Sequence, residues 1–284
     1  MMTDLDYLSL ASAMHRLTEP AVSSAISLLP LVPGSRGLDV ACGNGDHSLW
    51  LARAAKPDGC VFGIDICKEG LVRAIESAKS AGLKGELAFL QGDVCSIPFP
   101  DHIFDWVWCA DCLWPGPRSQ GFLGMNPLPA LEELVRVTRP GGTVALLFWS
   151  SQKLLPGHPL LEARLNATLV ACYPFQEGWD PRAHILSAPL WMNEAGLMDI
   201  RGRTFVADIQ GPLSNQAQDD LQLCFQMLWG RAAEELPEKE RENFRVLCSN
   251  CSADFIAANQ YYYGFITYTI FTGRVAAGSL IIAN

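Results

Sequence analysis

A doubly wound α/β architecture, with a mostly parallel seven-stranded sheet and helical insertions, is expected from three features of this chain. Short apolar runs alternate with helical patterns between residues 33 and 150. A glycine turn, Cys42-Gly43-Asn44-Gly45, stands between an apolar strand and a helix. A second acidic strand end, Gly63-Ile64-Asp65, follows about 20 residues later, the spacing of a nucleoside site at the carboxyl edge of such a sheet. Strands separated by helical patterns form parallel βαβ units in three layers, and the hand of each crossover is then nearly fixed.

Residues 4–30 carry an amphipathic helical pattern ending in Leu29-Pro30-Leu31-Val32-Pro33-Gly34, which makes 1–32 a helical cap. The core spans 33–150. Strands are expected at 36–41, 60–64, 86–90, 104–109 and 143–149, with helices at 46–55, 67–81 and 128–138. Pro140-Gly141-Gly142 reads as a turn leading into the fifth strand. After Trp149 the rhythm stops. Residues 151–185 gather prolines and aromatics around a helical stretch at 159–171. A helix at 187–195 and a strand at 198–208 resume the core over 186–213. Residues 214–260 read as two or three helices, and 261–284 as a last strand, at 261–274, with a tail. The segments 151–185 and 214–260 are expected to form a lid over the carboxyl edge of the sheet. The apolar run from Phe265 to Ala283 is long enough for a membrane helix. Arg274 and the run Thr267-Tyr268-Thr269-Ile270 favour a strand there, so no membrane span is expected.

Composition narrows the partners. At 284 residues and 49% hydrophobic, the chain can fill a sizeable core. A formal charge of −9 with no basic run repels phosphate backbones, which argues for no nucleic acid partner. Arg136 with Arg139, and Arg201 with Arg203, are isolated. The ten cysteines follow an acidic start, Met1-Met2-Thr3-Asp4, unlike a basic secretory leader, so they read as reduced thiols and the expected location is cytoplasmic. Cys109/Cys112 and Cys248/Cys251 are Cys-x-x-Cys pairs that together could supply four sulfurs to zinc. Their contexts differ, a strand end and a helical run, so they are read as small core residues and no metal is expected.

The residues around the glycine turn choose the ligand. Gly43 and Gly45 followed by Ser48 nearly meet the dinucleotide pattern. Asp39 and Asp46 are poor neighbours for a pyrophosphate and better ones for a ligand carrying an ammonium and a sulfonium. Asp65 is placed to accept from both ribose hydroxyls, and Asp93 in Gln91-Gly92-Asp93-Val94 to take the exocyclic amine of adenine. Three successive strand ends thus suit S-adenosylmethionine. An aspartate at a strand end also serves as a cap or turn residue; Asp39 could equally orient the glycine turn, and Asp46 could cap the helix.

On these residues the chain resembles the class I S-adenosylmethionine-dependent methyltransferases, and among them the small-molecule branch related to ubiquinone/menaquinone-type C-methyltransferases. The resemblance rests on Leu38-Asp39-Val40-Ala41-Cys42-Gly43-Asn44-Gly45, on Gly63-Ile64-Asp65, on Gly92-Asp93-Val94-Cys95-Ser96-Ile97-Pro98-Phe99-Pro100-Asp101 with Phe104-Asp105, and on Glu132, Leu134, Arg136, Val137 and Arg139-Pro140-Gly141-Gly142-Thr143. It implies a Rossmann-like core, S-adenosylmethionine as cofactor and S-adenosylhomocysteine as product. It implies that Gly43 and Gly45 let backbone lie against the methionine part, that Asp65 binds ribose, that Ile66 packs on adenine, and that Asp93 and Val94 hold the base. Cys109 and Ala110 would offer backbone carbonyls to the methionine amine. Cys42 stands where this branch often has a different small residue.

Methyl transfer is an in-line displacement that draws on alignment and desolvation, and a base is needed only where the acceptor must lose a proton. His15, His184, Asp111 and Tyr173 are base candidates. Asp111, directly after the fourth strand, is the best placed; it could instead cap Cys112-Leu113-Trp114-Pro115. His47 is read as a cap or a solvent-facing residue. Trp114, Tyr173, Trp179 and Trp229, with Phe175, Trp191, Phe225 and Tyr261 to Tyr263, supply aromatic surface for a flat small-molecule acceptor, or else the packing of the lid itself. The glycine- and proline-rich segment 116–127 is expected to move over the acceptor. A homodimer is among the assemblies the chain allows. Three other functions fit parts of the pattern: a cofactor-binding regulator without turnover, a nicotinamide-dependent oxidoreductase, and methylation of a soft acceptor such as arsenite or a thiol.

Overall fold

The computed structural model describes residues 4–83, 85–116, 123–168, 180 and 182–277. In chain order the elements are α1 (Asp4–Ile26), β1 (Arg36–Val40), α2 (Asp46–Ala54), β2 (Cys60–Asp65), α3 (Lys68–Ser80), β3 (Leu87–Gln91), β4 (Phe104–Ala110), α4 (Leu128–Val137) and β5 (Thr138–Lys153). They continue as α5 (Pro159–Asn166), α6 (Ala188–Glu194), β6 (Leu197–Gln210), α7 (Asn215–Trp229), α8 (Glu238–Cys248) and β7 (Tyr263–Val275). The seven strands form one sheet in the order β3-β2-β1-β4-β5-β7-β6.

Four strand pairs set up the site. β1 runs parallel to both β2 and β4, β2 is parallel to β3, and β4 is parallel to β5. The registers Val40↔Ile64, Asp65↔Gln91 and Val40↔Cys109 bring the carboxyl ends of β1 to β4 to one edge. The chain winds from β1 outward to β3 and returns to β4 on β1's other flank, so the crevice of a doubly wound sheet opens at β1.

Residue choice explains this centre. Trp106, Val107 and Trp108 of β4 are fully buried, and the β1 residue Gly37 makes room for the first of them. A Cβ at Gly37 would stand 2.0 Å from the Trp106 ring. The Trp106 indole nitrogen donates to Ser35 Oγ at 3.2 Å, which satisfies its buried N–H. Phe99 meets Phe62 and Phe104 edge to face, at centroid separations of 5.4 and 5.0 Å. Phe148 of β5 does the same for Trp114 and Trp191.

Three sequence expectations are corrected. Pro140-Gly141-Gly142 lies inside β5, where the pairing jumps from Phe104↔Thr138 to Trp106↔Thr143. The surplus residues are taken up as an irregularity in the ladder, with Gly141 at φ 75°, rather than as a turn before it. α1 ends at Ile26, short of residue 30, because the chain breaks into turns ahead of Pro30, with Leu29 N donating to Ile26 O. Trp191, expected in the lid, belongs to the sheet core, and its indole nitrogen donates to Arg182 O at 2.8 Å.

The chain divides into two compact units. One comprises 22–149, 181–204 and 269–284 and holds the crevice. The other comprises 1–21, 150–180 and 205–268. Within the latter, Arg16 makes a two-pronged ion pair with the buried Asp220, at 2.8 and 2.6 Å. The Trp229 indole nitrogen donates to Asn166 Oδ1 at 2.7 Å while its ring stacks on Phe225. Among the described residues no helix is long and apolar enough to cross a membrane, and the apolar run from Phe265 to Val275 lies in strand β7.

Candidate functional site

The glycine turn is built by three residues with positive φ: Ala41 at 56°, Gly43 at 53° and Gly45 at 81°. Glycine is needed at 45 for a second reason, since a Cβ there would lie 2.7 Å from the Ala74 Cβ of α3. Gly45 thus caps α2 and packs α2 against α3. At Gly43 nothing stands within 4 Å of where a Cβ would project, so the turn presents bare backbone to open space. Cys42 settles over Gly63 of β2, where a Cβ would come within 2.9 Å of its sulfur. Burial pushes the Cys42 thiol far up, so it is a neutral packing group.

The three strand-end carboxylates hold different positions. Asp39 is buried, and Ser48 Oγ donates to its Oδ2 at 2.5 Å. Burial pushes the Asp39 carboxyl up to about 7, the Ser48 hydrogen bond pulls it down, and Asp65 pushes it up further. Asp39 therefore ties β1 to α2 beneath the turn. Asp65 accepts from Gly43 N on one oxygen and from Cys67 N on the other, both at 2.8 Å. Each of its oxygens keeps a second lone pair, enough for a pair of hydroxyl donors. Asp93 is exposed, with Oδ1 accepting from Cys95 N at 2.8 Å. Ile66 projects 69% exposed directly after Asp65, and Val94 is buried beside Asp93.

Sequence reasoning quoted Arg136 without giving it a task, and Glu133 escaped it altogether. Arg136 donates to Phe99 O, Ile97 O, Asp101 and Glu133, while Ile97 N donates to Glu133 Oε2 at 2.8 Å. Arg136 holds Glu133 below the usual carboxylate range, and Glu133 in turn raises Arg136. The pair clamps the segment that follows Asp93. The only sequence sign was their spacing of three on one helix.

At the end of β4 the chain turns sharply. Asp111 has φ 48°, its N donates to Leu147 O at 2.9 Å, and its Oδ1 accepts from Trp149 N at 2.8 Å. The carboxylate expected to act as a base is drawn onto β5. Cys109 is buried and Ala110 half-buried at this tip. His47 corrects the expectation of a cap or a solvent-facing residue: it is buried, its Nδ1 accepts from the Trp108 indole at 3.4 Å, and its ring lies 5.2 Å from that of Trp50. The helix cap is Gly45 and Asp46 is the first helical residue. His184 Nδ1 accepts from Leu186 N at 3.1 Å and caps a short turn. His15 is half-buried on α1.

Of the expected acceptor residues, Trp114 is half-buried against Phe148. Trp229 is 1% exposed and committed to the interior of its own unit. Tyr173 and Trp179 lie outside the described residues, as does much of 116–127. Among the described residues no three His, Cys, Asp or Glu side chains gather as a metal site.

The crevice fits an adenosyl ligand on two observations: the open face at Gly43 and an apolar Ile66 left in solvent beside a carboxylate with spare lone pairs. Residues 31–186, more than half of the chain, match the family model described as a methyltransferase domain. A demethylmenaquinone methyltransferase of Bacillus cytotoxicus is 33% identical over 132 residues, covering 45% of this chain and 50% of that protein. A 2-phytyl-1,4-naphtoquinone methyltransferase of Synechocystis is 39% identical over 115 residues, 40% of this chain and 45% of that protein. The chain spans about half the length of the curated relatives it matches. In fold it is similar to the YcgJ protein of Bacillus subtilis, with a TM-score of 0.53 at 17% identity over 90% of this chain and 98% of that one.

Proposed function

This chain belongs to the methyltransferase-domain family of class I S-adenosylmethionine-dependent proteins, and from that premise we propose that it methylates a small, flat, quinone-type organic acceptor. The observation that carries the reading is the bond from Gly43 N to Asp65, which joins the glycine turn to the tip of β2. S-adenosylmethionine would supply an electrophilic methyl group on a sulfonium. The chain's own residues bind and align. Gly43 and Gly45 would admit the methionine part against backbone, Asp65 would accept from the ribose, and Ile66, Asp93 and Val94 would enclose the base. Carbonyls at Cys109 and Ala110 would receive the amine. Asp39 would support the turn from beneath. Asp111, whose Oδ1 accepts from Trp149 N, would shape the β4 tip, and its carboxylate is the candidate base where the acceptor must lose a proton.

Desolvation and alignment of the two reactants are the main contributions asked of the protein, with roughly 7–11 kcal/mol available from alignment in favourable cases. The quinone-type acceptor is inferred from the names of the matched relatives. A cytoplasmic location and a homodimer belong to the same proposal. A second reading is a cofactor-binding regulator without turnover, which the same pocket would serve.

Isothermal titration of the full chain with S-adenosylmethionine and S-adenosylhomocysteine tests the cofactor. Binding of both, weakened at least tenfold by Asp65→Ala, is expected; absence of heat and of thermal stabilisation with either would overturn the proposal. Turnover of demethylated naphthoquinols, followed by mass spectrometry, separates the enzyme from the regulator.

A further inference from the structure

We propose that Gln91, at the tip of β3, is a positioning residue: its side-chain amide fixes the peptide that follows Ile66 and, on the cofactor reading above, holds Ile66 ready as a face for the adenine base. β2 ends at Asp65 and α3 begins at Lys68, so Ile66 belongs to neither. β2 and β3 pair in the register Asp65↔Gln91, and Gly92 N donates to Asp65 O at 3.1 Å. One residue further on, the Gln91 side chain takes over, and its Nε2 donates to Ile66 O at 3.0 Å. A carbonyl oxygen only accepts, so this partner settles which way the amide faces. Ile66 O and Cys67 N belong to one peptide plane. Cys67 N donates to Asp65 Oδ1 at 2.8 Å. The plane is therefore held at both ends, by Gln91 through its carbonyl and by Asp65 through its N–H.

Ile66 needs such a hold because its side chain is 69% exposed and packing does not fix it. An isoleucine is stiff at χ1, so its direction follows once the backbone is set. A side chain ordered before the ligand arrives spares the entropy of ordering it on binding. Gln91 is itself exposed, and a hydrogen bond between exposed groups adds little to the stability of a fold. A side-chain amide spent on the carbonyl of an exposed isoleucine is thus explained by a ligand rather than by the fold. Asp65 Oδ2 also accepts from Gly43 N at 2.8 Å. The glycine turn, the tip of β2, the Ile66 peptide and the tip of β3 are in this way joined into one bonded series, and Gln91 is its outer end.

Two variants of the full chain remove the donor: Gln91→Leu keeps the bulk, and Gln91→Glu keeps the shape. S-adenosylhomocysteine affinity, read by titration calorimetry, should fall about three- to tenfold in both, the cost of ordering one loose side chain on binding. In an Ile66→Ala background the same substitutions should change affinity by less than about twofold, because the side chain they position is gone. Melting temperatures should stay within about 2 °C of each parent. Exchange of the Cys67 amide in the ligand-free protein should quicken at least about threefold. Unchanged affinity in both variants, or an equal loss with and without the Ile66 side chain, would overturn the positioning role. A larger fall in melting temperature in both variants would make Gln91 a residue of the fold and overturn it as well. If the wild-type chain binds no S-adenosylhomocysteine, the cofactor reading fails and the adenine face with it. Cys67 exchange still decides whether Gln91 holds the peptide, and an unchanged rate would overturn that half.

Discussion

Gly43 and Gly45 share a backbone requirement and differ in surroundings, so their alanine variants separate two effects. Gly45→Ala meets the Ala74 Cβ and should cost about 1–3 kcal/mol of stability, read by denaturant unfolding. Gly43→Ala meets nothing and should cost only about 1–2 kcal/mol from its φ of 53°. Its methyl enters the open face, so the larger loss should appear as cofactor affinity by calorimetry. Asp39 carries a pH signature. Its folded carboxyl titrates near 7 and its unfolded one near 3.8. The stability it contributes is therefore full below the lower value and lost as pH rises through the upper one. Between pH 4 and 8 the wild type should lose about 4 kcal/mol relative to Asp39→Asn. Thermal melts of both proteins across that range would show parallel curves if the carboxyl is in fact ionised throughout.

Arg136 shows how one side chain supports a segment. Arg136→Ala removes bonds to Ile97 O, Phe99 O and two carboxylates, leaving two carbonyls to find water. Amide exchange over 95–101 should quicken at least tenfold, and Arg136→Lys should not restore it, because an ammonium cannot span a planar fork of partners. The strands and helices around it were legible because their periods are local. β5 was not wholly so: Pro140-Gly141-Gly142 has the same chemistry in a turn and in a ladder irregularity, and only the facing residues of β4 decide between them. His47 was misread because a helix's first turn is ordinarily wet, whereas here Trp108 covers it. Gly43 was legible as a turn residue and Asp65 as a strand-end carboxylate from motif and spacing. The bond that joins them was not, because nothing local announces a carboxylate's partner.

Net charge acts on the chain as a unit. At −9 the protein attracts a methyl donor whose ammonium and sulfonium outweigh its carboxylate, and is indifferent to the zwitterionic product. Raising salt from 20 to 500 mM (roughly a fivefold contraction of the Debye length) should weaken S-adenosylmethionine binding more than S-adenosylhomocysteine binding, by calorimetry under matched buffers. The other unit depends on Arg16 and Asp220, which lie too far apart in sequence for any pattern to pair them. Gly37 and Trp106, finally, make the order of substitution matter. The indole can be lost first, leaving a hollow that the fold tolerates at some expense. Alanine cannot arrive first, because the ring already fills its place. A larger residue at position 37 is therefore compatible only with a smaller or displaced side chain at position 106.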